Sequence, residues 1–599
     1  MMRQQGLIAM ANAGEDRATD RRTVARRLLA ELRPFKLQVV VVFALVVASA
    51  LAQAAGPWLI GLAIDRAILK HNGTLLGWLM LGLLGVYLVS SLAQRAQIYR
   101  IGAVGQRVLA GLRARIFERL QRLPLSYFDR RPVGDLMSRL LNDVDTLNQL
   151  FSQGLSQMLG SLFSLAGILV AMLAMNVKLA LVSFTLLPVM LLTTVFFARR
   201  ARKAFRVTRE TVGKVTAGLQ EEIVGVREAQ AFNRTEANIA RFRKRNAANR
   251  TANVQAVGIT AAFSPAIDVL STLATAIVIG YGGWLAYGGQ VEVGVVAAFL
   301  IYSQQFFRPI QMIAQVYTQL QSALAGSERI YGILDESPEP ADAADALVFD
   351  AMVGAIQFDQ VAFAYEAGRE VLHGIDFSAR AGQRVAIVGP TGAGKTTLAS
   401  LIPRFYEATQ GHVRIDGQDV RTVTRQSLRQ NIGIVLQEPF LFSGTIADNI
   451  GYGREGATQA EIEAAAASVS AHDFIQALPE GYQTKLGEGG GTLSQGQRQL
   501  LSFARAVLAN PRILILDEAT RHIDSRTEAL IQSALKVLLQ GRTSVVIAHR
   551  LSTIRDADLI LVVEAGKIVE RGTHDALMAQ DGLYAQLQRR QFGVPVAAA

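Results

Sequence analysis

At 599 residues, half of them hydrophobic, the chain is too long for one compact domain and too apolar for an ordinary soluble enzyme. Only 18% of the residues are charged and the mean hydropathy is +0.26, which excludes a disordered or fibrous chain. Lys and Arg number 61 against 49 Asp and Glu, a net charge of +12 that suits an anionic membrane face or nucleic acid. The absence of Cys excludes disulfides, thiol catalysis and Cys-bound metal.

Residues 1–20 read as a disordered lead-in, because the apolar patch LIAM after Arg3 is shorter than the roughly 7–15 residues of a signal-peptide core. TVARRLLAELRPFK then reads as an amphipathic cytoplasmic helix with Arg26, Arg27, Arg33 and Lys36 on its polar side. Six runs without charge, or nearly so, follow. They lie between Lys36 and Asp65, Lys70 and Arg95, Asp145 and Lys178, Lys178 and Arg199, over Asn253–Gly288, and from Val293 past Arg308 to Ala325. Each is near or above the ~20 residues a helix needs to cross about 30 Å of hydrocarbon, so the chain is read as spanning a membrane six times.

Charge sets the topology. The connections from span 2 to span 3 and from span 4 to span 5 are crowded with Arg and Lys, whereas Asp65–Thr74, Asn176–Lys178 and Gly288–Glu292 are short. By the positive-inside rule both termini are cytoplasmic, and the membrane accounts for the net charge without nucleic acid. The two basic connections keep a helical pattern, as in RVLAGLRARIFERLQRL, so the spans are expected to continue into the cytosol as helical hairpins with a short helix at each tip.

The acidic, Pro- and Ala-rich stretch DESPEPADAADALVFDA reads as a linker. Beyond it, short β-branched strands (AIQFDQVAFAY, QRVAIVG, HVRIDG, ILILD, SVVIAH, LILVVEAGKIVERG) alternate with helical runs, the pattern of an α/β domain with a largely parallel sheet. The expected organisation is a lead-in (1–20), a membrane α-helical domain with six long spans (21–332), a linker (333–353), an α/β P-loop nucleotide-binding domain (354–592) and a disordered tail (593–599).

Within that domain, strand, Gly-rich loop and helix follow one another in QRVAIVGPTGAGKTTLASLIPRF. Gly389, Pro390, Thr391, Gly392, Ala393, Gly394, Lys395 and Thr396 fit G-x-x-x-x-G-K-[ST], with Thr397 next. Backbone N–H groups of such a loop cradle phosphates, Lys395 is placed for the β- and γ-phosphates, and the Thr396 hydroxyl for Mg²⁺. The strand ILILD ends in Asp517, suited to hold Mg²⁺ through water, and Glu518, suited to polarise the attacking water; this strand is expected beside the P-loop strand.

The full ordered set resembles the ATP-binding cassette of ABC exporters: Tyr365 about 24 residues before Gly389, then Gln437, Ser494-Gln495-Gly496-Gln497, Asp517-Glu518, Asp524 and His549. LSYFDRRPVGDLMSRLLNDVDTL and QFFRPIQMIAQVYTQLQSALAGSERIYGILDE resemble the first cytoplasmic loop and last membrane helix of the same family, so the resemblance covers about residues 35–592. It implies that Tyr365 stacks on adenine and that Gln437 touches Mg²⁺ or the water. It further implies that Ser494 and Gly496 hold the γ-phosphate of ATP bound to a second subunit, while His549 holds it in its own. Two departures stand out. Gln495 replaces the commoner glycine of the signature, and Arg521 stands where a small residue usually precedes Asp524.

A chain with one P-loop and one signature is half a transporter in this family and needs a second chain. An intact Glu518 with a deviant signature favours a heterodimer, with a homodimeric lipid flippase as the alternative. The implied activity is ATP- and Mg²⁺-dependent export of drugs, lipids or peptides from a bacterial inner membrane. An ATP-gated regulator or channel of the same fold is the rival reading.

Overall fold

The computed structural model describes residues 21–349, 351–366, 368–517, 525–548 and 551–592, so the expected lead-in and tail lie outside the described residues. The chain divides into a first unit ending at Ser337 and a second made of Pro124–Arg130 with the chain from Pro338 onward.

The first unit opens with α1 (Arg21–Ala30), which buries Val24 and Leu28. Val24 packs on Leu324 and Tyr331. The Arg27 guanidinium grips both oxygens of Asp335 at 2.5 and 2.9 Å. Six helices long and apolar enough to cross a membrane follow: Arg33–Ile68, Gly73–Gln121, Val133–Met175, Val177–Val224, Thr235–Tyr287 and Val293–Leu334. Span 2 has 49 residues, about 74 Å at 1.5 Å per residue, so it extends well beyond a ~30 Å hydrocarbon layer. Short helices occupy the tips of both basic connections, α2 (Leu125–Asp129) and Val226–Ala231. Span 4 breaks at Thr185, three residues before Pro188, and span 6 at Phe306, three before Pro309. Proline lacks the N–H and its ring crowds the carbonyl four residues earlier, here that of Phe184 or Gln305.

Asp65 is not in an outer loop, as its charge suggests; it sits within span 1, in a π-helical turn over Ala63–Ile68, and is buried. Its Oδ1 accepts a hydrogen bond from the Gly294 N–H at 2.6 Å. Span 6 begins after Glu292, whose own side chain does not cap the helix. Asp65 therefore supplies the cap from a different span, satisfying a first-turn amide that has no carbonyl acceptor of its own. The two helices meet backbone to backbone here: a Cβ on Gly294 would fall 2.0 Å from the Gly61 carbonyl oxygen. Tyr302 further ties span 6 to span 1 by donating to the Ala54 carbonyl.

In the second unit, strands β1 (Ile356–Glu366), β2 (Arg369–Ala379), β4 (Gln410–Ile415) and β5 (Gln418–Asp419) form an antiparallel sheet in the order β2-β1-β4-β5. β3 (Arg384–Val388), β6 (Ile432–Val435), β9 (Ile513–Asp517), β10 (Thr543–Ile547), β11 (Leu559–Glu564) and β12 (Lys567–Gly572) form the main sheet, ordered β12-β11-β3-β10-β9-β6. All its pairings are parallel except β11–β12. A two-stranded ribbon joins β7 (Gly444–Thr445) to β8 (Lys485–Leu486). The strand carrying Asp517 is not beside the P-loop strand β3. β10 lies between them, because parallel neighbours need crossover connections and chain order need not match spatial order.

The acidic linker is pinned rather than loose. Glu339 reaches Arg429 at 2.5 Å, Asp342 reaches Arg425 at 2.8 Å, and Leu347 exchanges backbone hydrogen bonds with Thr422 and Thr424. The helix ahead of it runs to Leu334, slightly into the expected linker.

Candidate nucleotide-binding site

β3 is central and its Val385, Ala386 and Ile387 are buried, so the loop after it leaves the carboxyl edge of a rigid parallel sheet. Open parallel sheets bind ligands at that edge. Gly389 has φ +153°, and a Cβ there would lie 2.0 Å from the Val563 carbonyl oxygen. Gly394 has φ +102°, with Leu372 Cδ2 2.8 Å from where a Cβ would be. Only glycine fits either position without a shift of its neighbours. The loop then enters α3 (Lys395–Leu401).

Lys395 is buried, and its Nζ donates to the carbonyls of Gly389 and Pro390 at 2.8 and 2.9 Å. Burial pushes its ammonium below the usual lysine range, while the Asp517 carboxylate pulls it back up. Asp517 ends β9 at the same carboxyl edge of the parallel sheet as the loop after β3, with β10 between the two strands. A cation folded over the carbonyls of its own loop can exchange them for phosphate oxygens with little backbone change. Thr396 is exposed on α3, and Gln437 is exposed two residues past the end of β6.

Tyr365 is the penultimate residue of β1, with 40% of its surface exposed. Its ring meets Phe363 and Tyr406 edge-on at 4.9 and 5.0 Å, and its hydroxyl shares a 2.9 Å hydrogen bond with the Thr397 hydroxyl on α3. Arg130, just past α2, donates to the Tyr365 carbonyl at 2.7 Å, and Tyr406 donates to Asp129. Burial and the Asp129 carboxylate push the Tyr406 hydroxyl up, so it stays a donor. The adenine-stacking candidate is thus bonded to the P-loop helix and to Arg130 at the end of α2, links that sequence spacing does not reveal.

Ser494 starts α4 (Gln495–Ala509) in a reciprocal capping box: its Oγ accepts from the Gln497 N–H at 3.2 Å, and Gln497 Oε1 accepts from the Ser494 N–H at 2.9 Å. The S-x-x-Q spacing carried that signal. Gly496 is buried, and a Cβ there would lie 2.1 Å from Thr527 Cγ2 on α5 (Ser525–Leu539), so glycine is needed for two helices to touch. Gln495 is half-buried at the first position of α4. Its amide and that of Gly496 have no intrahelical acceptor, the usual state of first-turn donors.

The structure therefore gathers Gly389–Thr397, Tyr365 and Asp517 in one region, with Gln437 following a strand of the same parallel set, while Ser494–Gln497 opens a separate helix. Glu518, Arg521, Asp524 and His549 lie outside the described residues. Among the described residues no cluster of three or more His, Asp or Glu is placed to hold a metal. Asp517 and Thr396 supply the carboxylate and hydroxyl oxygens that would suit a Mg²⁺ ion completed by substrate phosphates.

Six apolar helices followed by a P-loop sheet define a membrane protein powered by nucleotide. Residues 39–310 match the family model for the ABC transporter transmembrane region, and residues 372–521 match the ABC transporter family model. The chain belongs to the ABC transporters and is a half-transporter of the exporter type. It is 40% identical over 576 residues to the uncharacterized ABC transporter ATP-binding protein YfiC of Bacillus subtilis, covering 96% of this chain and 95% of that one. It is 42% identical over 509 residues to a fatty acid ABC transporter ATP-binding/permease protein of Mycobacterium bovis (84% and 80%). An ATP-dependent lipid A-core flippase of Syntrophus aciditrophicus shares 38% over 573 residues (96% and 95%). Among solved structures, a bacterial Atm1-family ABC exporter with ATP bound aligns with a TM-score of 0.74 and 32% identity, covering 94% of this chain and 99% of that one.

Proposed function

We propose that this chain exports amphiphilic or hydrophobic compounds, with lipids favoured over drugs and peptides, as the catalytically intact half of a heterodimer in a bacterial inner membrane with both termini cytoplasmic. The observation that carries the reading is the cradle at the edge of β3, with glycine required at Gly389 and Gly394 and Lys395 folded over the loop, on a chain with six membrane-length helices. The lipid preference draws support from relatives named for fatty acids and lipid A.

In this reading, loop amides from Gly389 to Thr397 enclose the phosphates, Lys395 leaves its two carbonyls for the β- and γ-phosphates, and Tyr365 offers its ring to adenine. Thr396, Asp517 and Gln437 hold Mg²⁺, which when bound neutralises phosphate charge. Glu518 orients the attacking water and accepts its proton, and His549 steadies the γ-phosphate. Ser494, Gly496 and the start of α4 face ATP held by the second chain, with Asp524 in the contact between subunits. Closure and reopening of the nucleotide domains switch the spans between inward- and outward-facing states, and transport follows only if cargo affinity differs between them. Intact Glu518 and His549 argue against an ATP-gated regulator or channel, for which slow hydrolysis would suffice.

Gln495 supports the heterodimer: its side chain stands where the commoner glycine would let backbone approach the second chain's nucleotide. The test is expression of this chain alone in lipid nanodiscs. The expected result is an inactive or aggregating chain rescued by a second half-transporter. A stable dimer turning over ATP at about 1 s⁻¹ or faster would overturn the heterodimer and favour the homodimeric flippase.

A further inference from the structure

The loop over residues 403–409 joins the P-loop helix α3 to β4, and three separate parts of the second unit meet on it. Its Tyr406 ring stands edge-on to Phe363 and Tyr365 at 5.5 and 5.0 Å, and those two stand edge-on to each other at 4.9 Å. Alternation along β1 puts Phe363 and Tyr365 on one face of the strand. Phe363 is buried in the core, so the triangle has one fixed ring and two that face outward. A cavity of about 380 Å³, whose lining includes Ser126, Arg369 and both tyrosines, leaves those two rings room to tilt.

Tyr406 is held at both its hydroxyl and its backbone. The hydroxyl donates to Asp129 of α2, which lies in the connection between spans 2 and 3. The backbone follows Arg404, which is buried with φ +54°, a left-handed conformation that a bulky side chain adopts only where its surroundings impose it. Here an ionic network imposes it. Arg404 Nε donates to Glu407 at 2.9 Å, and Arg429 donates to the Pro403 and Arg404 carbonyls at 3.0 and 2.9 Å. Arg429 also grips Glu339 at 2.5 Å, while Arg425 joins Glu407 to Asp342 at 3.1 and 2.8 Å. Glu339 and Asp342 belong to the linker that follows span 6. One loop is therefore tied to α2, to the linker and to the ring against Tyr365.

We infer that Tyr406 is a positioning residue that makes the affinity for the base of ATP depend on where α2 stands. The inference rests on the reading of Tyr365 as the residue that stacks on adenine. Tyr406 sets the tilt of the Tyr365 ring from one side, while the Thr397 hydroxyl holds the Tyr365 hydroxyl at 2.9 Å. A displaced α2 draws Tyr406 with it through Asp129, turns Tyr365 out of the plane of the base and weakens binding without touching the phosphates. Linkage makes the effect reciprocal, so a bound base steadies α2 by the same factor. This path runs through the base and is separate from any carried by Gln437 at the metal.

The test uses the assembled full-length transporter in nanodiscs, with inorganic tripolyphosphate as a competitor that engages the P-loop and carries no base. Tyr406→Phe and Asp129→Asn are each expected to raise KM for ATP by about 3- to 10-fold, part of the strength of one hydrogen bond to a carboxylate, with kcat unchanged. Inhibition by tripolyphosphate should not shift. The double variant should match either single change within about 2-fold, because both remove the same bond. Hydrogen exchange of the Leu125–Asp129 amides should slow on adding ATP but not tripolyphosphate, and Tyr406→Phe should abolish that response. An unchanged KM or an additive double variant overturns the inference. So does an equal loss of tripolyphosphate inhibition, which would show general damage to the P-loop. Equal slowing of exchange by tripolyphosphate also overturns it, since the phosphates then carry the coupling. Tyr365→Ala with an unchanged KM would instead overturn the stacking role on which the inference rests.

Discussion

Glu518→Gln in the assembled transporter is expected to bind ATP as tightly as the unaltered protein and to hydrolyse it about 10²-fold or more slowly at this chain's site. The amide keeps the size of the side chain but cannot accept the proton of the attacking water, so transition-state stabilisation is lost while ground-state binding is kept. ATP then persists between the two nucleotide domains, and the outward-facing state accumulates. Single-turnover hydrolysis and nucleotide trapping measure the two effects separately. A near-normal rate would remove Glu518 from the role of base, and weakened ATP binding would place it in binding rather than chemistry.

Gly389→Ala is expected to cost about 2–4 kcal/mol and to abolish nucleotide binding at ordinary ATP concentrations. The added Cβ meets the Val563 carbonyl oxygen at 2.0 Å while the backbone is held at φ +153°. Relief requires moving β11 or the start of the P-loop, so steric overlap and backbone strain add. Gly392→Ala, one turn further along the same loop, is the control. Its φ is +81°, but nothing lies within 4 Å of the new atom, so only the strain of about 1 kcal/mol remains. Thermal unfolding of the full-length protein with and without ATP should rank the two in that order. Equal effects would mean that strain alone, not contact with β11, requires glycine at Gly389.

The parts legible in sequence are those written in consecutive residues. Six uncharged runs announce the spans because hydrocarbon tolerates few charges, and the P-loop is compact because eight adjacent residues wrap one phosphate group. Features that depend on a distant partner are less legible. Asp65 reads as the end of a span, yet it is buried because the Gly294 amide, 229 positions away, satisfies it. β2 goes unread because Glu370, His373 and Asp376 interrupt its apolar pattern, although its buried positions line up against β1. β6 is only four residues long, below what periodicity can distinguish. The place of β10 between β3 and β9 is a matter of topology that chain order does not carry. Ser90, Gln97, Ser156 and Gln157 escape a reading based on charge, because uncharged polar residues pass as membrane-compatible until the helices face them into one cavity. Tyr365 and Thr397 are 32 residues apart, and no pattern in the sequence announces their hydrogen bond.

The central claim is that ATP hydrolysis by this chain drives amphiphile movement across a membrane. Its most direct test is flux of an amphiphilic lipid in sealed proteoliposomes containing the assembled transporter, with nucleotide sites facing outward. Accumulation is expected to require ATP and Mg²⁺ and to fall to the protein-free level with Glu518→Gln. Equal movement without ATP, or undiminished movement in that variant, would contradict ATP-driven export and make the protein a nucleotide-regulated passage.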